Sequence, residues 1–243
     1  GEPGTTCVLK VARPTSDSTY VPMEFKITRS TIRTNPVPYY GIVGNNVGYI
    51  VISTFAIENC SKDIKKALIE LKQQGAKSIV LDLRGNGGGL LGEAVNVVNF
   101  FVPKGKEIVV TKGKIKQAGT TYKTMNEPVD TEIPLAVLVD GSTASASEIV
   151  SGSLQDLDRA IVVGSRTYGK GLVQVPRELP YNSSMKVTTA KYYIPSGRCI
   201  QAIDYAKRNA DGSVARTPDS LTNVFHTAAG REVRDGGGIR PDV

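Results

Sequence analysis

Histidine is almost missing from this chain: among 243 residues there is one, His226. That scarcity constrains hydrolytic chemistry, because histidine is the usual base for a nucleophilic hydroxyl. Cysteine is scarce too. Cys7, Cys60 and Cys199 are far apart, which excludes a CxxC redox motif and a cysteine zinc pattern, and the odd count leaves at least one thiol unpaired within the chain. No run of eighteen apolar residues occurs, so no segment reads as a membrane-spanning helix. The opening Gly-Glu-Pro-Gly lacks the basic-then-apolar pattern of a signal segment; either a mature chain begins there or the sequence was cut from a longer one. Internal repeats and low-complexity tracts are absent.

What is present is ordinary for a globular chain with a sizeable core: 40% apolar and 22% charged residues. The net charge is +7, yet Lys and Arg are spread along the whole length with acidic residues among them. Without a basic helix or an aromatic-basic cluster, this reads as a solvated surface rather than a nucleic-acid interface.

The apolar pattern predicts an α/β fold. Residues 1–13 read as a turn and one strand with no visible partner, and Glu24–Thr28 as a second strand after a polar loop at Thr15–Ser18. The main domain is expected from Val47. There GYIVISTF gives a strand, Ser61 caps a helix running to about Gln74, and Gly75 stands at its C-terminal cap. SIVLDL (78–83), EIVVT (107–111), LAVLVD (135–140) and AIVVG (160–164) read as strands, alternating with helices at Leu91–Val102 and Ser145–Leu157. Such alternation predicts a mixed β-sheet flanked by helices. LVQVP (172–176) and MKVTTAKYYI (185–194) read as further strands added at the sheet edge, and 203–235 as a weakly patterned insert.

Three turns carry candidate chemistry. RGNGGG (84–89) follows a strand and precedes a helix, where free N–H groups bind anions, but Leu90 stands where a dinucleotide fingerprint needs its third glycine. GSRTYGKG (164–171) has the outline of a nucleotide-phosphate loop, with Gly171 replacing the magnesium-holding Ser or Thr and a strand-like segment following. STASASEI (142–149) places Ser145 between strand and helix. With Glu148 three residues on it makes a capping box, and it is equally a serine exposed beyond the sheet's carboxyl edge. There the Ala146 N–H, at the positive end of the helix, faces developing negative charge. A serine needs a base. With His226 remote from every motif, Lys170 is the candidate, since burial disfavours a lysine's charged form, and Gln174 is placed to hold its nitrogen.

The blocks LDLRGNGGG, STASASEIVSG, GSRTYGKGLVQ, AKYYIPSGRCIQ and GGGIRPDV, in this order and spacing, resemble those of the carboxyl-terminal processing (tail-specific) peptidases from about Val47 to the end. The resemblance implies a serine endopeptidase that cleaves proteins near their free C-termini. It implies Ser145 as nucleophile, Lys170 as general base, Gln174 as its orienter, and an oxyanion hole from Ala146 with Gly88 or Gly89. It calls for no metal or cofactor, and for neither nucleotide nor nucleic acid as partner; oligomerisation is left open. Residues 1–13 then resemble the C-terminal remnant of a PDZ-like domain, 14–46 a connecting β segment, and 47–243 the catalytic core. Export follows as a further expectation: a periplasmic or extracellular address, with membrane association through a segment preceding Gly1. Two other functions fit parts of the sequence, a P-loop-like nucleotide-binding protein and an inactive peptide-binding relative.

Overall fold

The computed structural model describes residues 1–32, 34–114, 119–208, 210–212 and 214–243. The chain divides into two units, Gly1–Asn35 and Pro36–Val243. In the first, β1 (Thr6–Pro14) and β2 (Tyr20–Thr28) form one antiparallel hairpin, in register from Thr6↔Thr28 to Pro14↔Tyr20. The strand expected to stand alone therefore has its partner in the next segment, across a turn in which Thr15 donates to the Thr19 carbonyl.

The second unit is built on two sheets. The central one has the order β3 (Tyr39–Val43), β4 (Val47–Val51), β5 (Ser78–Asp82), β8 (Leu135–Val139) and β9 (Ile161–Gly164). Its first pair is antiparallel and the others are parallel. The sheet begins at Tyr39, ahead of the expected Val47. Three helices serve it: α1 (Cys60–Gln73), α2 (Leu91–Asn99) and α3 (Ala146–Asp156). The first packs on β3 and β4 and the third on β9, while α2 lies against both other helices. Ile64, Leu68 and Leu71 bury one face of α1 at helical spacing. Its start differs from expectation: Asn59, in the left-handed region, precedes the helix, and Ser61 lies inside it. The free N–H groups of Asn59 and Ser61 are taken by the Glu93 carboxylate, at 3.1 and 2.8 Å.

The other sheet, absent from the sequence reading, runs β10 (Leu172–Leu179), β11 (Ser183–Tyr193), β6 (Glu107–Gly113), β7 (Thr120–Lys123), all antiparallel. EIVVT thus leaves the parallel sheet. The two strands assigned to that sheet's edge instead form a hairpin whose base, Ala190–Tyr193, pairs with β6. Pro176 sits on the outer strand β10, where a missing N–H costs no ladder bond. The region read as an insert contains two small hairpins, β12 (Ile203–Arg208) with β13 (Val214–Arg216) and β14 (Val224–His226) with β15 (Glu232–Arg234). Leu81, Val137, Phe55, Leu154 and Ile239 are buried together in one core. Among the described residues no helix is long and apolar enough to cross a membrane.

Candidate active site

Strands β5, β8 and β9 are parallel neighbours, so the turns that follow them emerge at the same sheet edge. These turns carry RGNGGG, Ser145 and Lys170. The continuous apolar strands thereby bring together residues that lie 60 and 25 positions apart or so in the chain.

The first two turns are laced through the backbone. Ala144 N–H donates to the Asn86 carbonyl at 3.0 Å, and the Thr143 hydroxyl to the Leu83 carbonyl at 2.9 Å. Gly88 lies so close to the serine turn that a Cβ there would stand 2.5 Å from the Ala144 oxygen and 2.8 Å from the Ala146 nitrogen. Ser145 itself has φ 57° and ψ −117°. For a residue with a side chain this conformation costs about 1–3 kcal/mol and persists only where its surroundings impose it. A sharp strand-to-helix turn of this kind is how a nucleophilic serine is presented.

Glu148 imposes it. Its fully buried carboxylate accepts the Ser145 N–H at 2.8 Å, the Thr167 hydroxyl at 2.5 Å, and the N–H groups of Gly169 at 2.7 Å and Lys170 at 2.8 Å. One side chain therefore joins the serine turn to the lysine turn. Burial pushes its pKa up, and these donors pull against the rise. Thr167 extends the clasp, because its hydroxyl also accepts the Ile239 N–H at 2.7 Å. Tyr192 provides another. Its buried hydroxyl sits between the Ser145 carbonyl, at 3.2 Å, and the Lys170 carbonyl. Burial raises that phenol well above its usual pKa, so it stays a donor.

Ser145, Ala146, Lys170, Gln174 and Gly89 line one cleft of about 290 Å³, with apolar walls that include Leu90 and Ile149. Lys170 and Gln174 also line a second cleft of about 570 Å³ beside Ser142 and Tyr168. Among the described residues no hydrogen bond joins the Ser145 hydroxyl to the Lys170 ammonium, and catalytic contacts of this kind commonly tighten only around substrate. The Gln174 amide donates to the Thr188 hydroxyl at 3.5 Å. Of the two candidate glycines, Gly88 is already engaged: its N–H donates to Asn86 Oδ1 at 2.9 Å. In this arrangement the Gly88 N–H is not free to meet an oxyanion. Gly89 N–H has no acceptor among the described residues, and Ala146 N–H is one of the free donors of the first turn of α3. His226 is exposed on β14 and does not line either cleft. After Gly171 the chain enters strand β10, where a phosphate loop would begin a helix.

Sequence reasoning had assigned Glu148 to helix capping alone and gave Tyr192 no role. A capping-box glutamate and a tyrosine in an alternating strand carry no signal that distinguishes these duties from ordinary ones.

Peptidase family S41 matches residues 46–207, a span that contains all three turns. The carboxyl-terminal-processing protease of Picosynechococcus is 41% identical over 199 residues, covering 80% of this chain and 46% of that protein. The protein of that name from Synechocystis is 42% identical over 192 residues, covering 77% of this chain and 44% of its own length. A solved photosystem II D1 C-terminal processing protease superposes with a TM-score of 0.62 at 32% identity, covering 83% of this chain and 54% of that one. The chain thus spans less than half the length of the two curated relatives. With its mixed sheet, its strained serine turn and these likenesses, the chain belongs to peptidase family S41.

Proposed function

We propose that this chain is a serine endopeptidase that cleaves proteins near their C-termini. The observation that carries the reading is the strained Ser145 at the start of α3, joined through Glu148 to the turn bearing Lys170. Neutral Lys170 accepts the Ser145 hydroxyl proton as the oxygen attacks the peptide carbonyl. Gly89 N–H and Ala146 N–H hold the oxyanion. Collapse of the tetrahedral intermediate breaks the C–N bond, and protonated Lys170 returns the proton to the leaving amine. Water then attacks the acyl-serine ester, again with Lys170 as base. The Gln174 amide turns from Thr188 to orient the lysine nitrogen once substrate occupies the cleft.

An extended substrate is held by backbone pairing with the free edge of β10, which starts two residues after Lys170. Two clefts meet at Lys170 and Gln174 and leave room for residues before and after the cleaved bond. A PDZ-like module contributes to selecting free C-termini, and the β1–β2 unit, Gly1–Asn35, belongs with that module.

The test is hydrolysis of an unfolded protein by three variants. Ser145→Ala and Lys170→Ala are each expected to lose activity by a factor on the order of 10²–10⁴ or more, whereas His226→Ala keeps it. Loss of activity in a folded His226→Ala protein would overturn the assignment of the base.

A further inference from the structure

The cleft that holds Ser145 contains a charge that the reaction leaves unused. Lys186 lines it beside Leu90, Leu91 and Ile149. This lysine lies on β11 opposite Pro176, and Thr188 lies opposite Gln174. Strand alternation puts Lys186 and Thr188 on the same face. Gln174, which donates to Thr188, lines the same cleft as Lys186, so this face borders Ser145. No Asp or Glu lines the cleft, and among the described residues no carboxylate pairs with the Lys186 ammonium. Beside Lys170, which the reaction uses, Lys186 is the cleft's other cation.

We propose that Lys186 makes this cleft a subsite for an apolar residue adjoining a carboxylate, and so determines which peptides are cut fastest. The proposal rests on the peptidase reading above. An ammonium attracts a carboxylate at its own level of exposure by about 0.4–1 kcal/mol, a factor of about 2–5 in kcat/KM, and salt screens it. The carboxylate comes either from an acidic side chain or from the end of the peptide.

The experiment compares three peptides with the same apolar residues at the cleaved bond. One is neutral with an amidated end, one carries an acidic side chain near the bond with an amidated end, and one is neutral with a free terminus near the bond. The wild-type protein is expected to favour a carboxylate peptide about 2–5-fold over the neutral one at low ionic strength, mainly through KM. Lys186→Ala levels this ratio and Lys186→Glu reverses it. Whichever carboxylate peptide gains identifies the source. An unchanged ratio in Lys186→Glu overturns the proposal and leaves the peptidase reading standing. If the wild-type protein cleaves none of the three, the peptidase reading fails instead. Fluorescence anisotropy of the same peptides on Ser145→Ala then decides the proposal, which is overturned if adding Lys186→Glu leaves the ratio of affinities unchanged.

Discussion

At the scale of single residues, the site depends on two side chains that touch no reacting atom. Glu148 offers its carboxylate to four donors, and only a carboxylate accepts at all four positions. Glu148→Gln sets an amide donor against backbone N–H groups and lets the serine turn move relative to the lysine turn. A displacement of about 1 Å costs on the order of 10²-fold in rate, so kcat is expected to fall by that much while KM changes little. Tyr192→Phe keeps the buried ring and removes the hydroxyl between the two carbonyls; a smaller fall in kcat, about 10-fold, is expected. Steady-state kinetics on variants with unchanged circular dichroism checks both. Ser145 and Lys170 could be singled out in the sequence as candidates because both stand in turns after apolar strands, in a chain with a single histidine. Glu148 and Tyr192 were not, because their partners are backbone groups brought close only by the fold.

At the scale of elements, the glycine run is not uniform. A Cβ at Gly88 would meet the Ala144 oxygen at 2.5 Å, and one at Gly89 would meet the Phe55 carbonyl carbon at 2.1 Å; both glycines have positive φ. At Gly87 nothing lies within 4 Å. Gly88→Ala and Gly89→Ala are each expected to lose at least about 1–3 kcal/mol from backbone strain alone. In a domain of this size that lowers Tm by roughly 2–10 °C, with loss of activity, whereas Gly87→Ala stays within a degree or two. Thermal unfolding followed by circular dichroism separates the three. The parallel strands were readable because their apolar runs are continuous, although one face is buried and the other only half-buried. The second sheet was not: alternation in β10, β11 and β6 marks each as a strand but does not say which strand it pairs with. The same limit hid the β1–β2 hairpin.

At the scale of the whole molecule, α1 is tied to the loop before β8 by Lys72 and Asp130, whose charged atoms are 2.5 Å apart. Burial works against ionisation of Asp130, yet the Lys72 ammonium and the N–H groups of Ile133 and Glu132 hold its pKa down to about 2, from 3.8. A folded-state pKa below the unfolded one adds stability that is complete above about pH 4 and disappears as pH falls toward 2. Lys72→Met is therefore expected to lower Tm at neutral pH, with the gap to wild type closing between pH 4 and 2 in a series of thermal melts. The clasp at Thr167 has a consequence of another kind. Thr167 reaches Glu148 on one side and Ile239 on the other, so the frame around Lys170 is finished by a residue made 69 positions after that lysine. A chain emerging from a ribosome carries both its serine and its lysine long before that closing contact exists. In vectorial synthesis the complete frame of the lysine turn can therefore form only after elongation has passed residue 239.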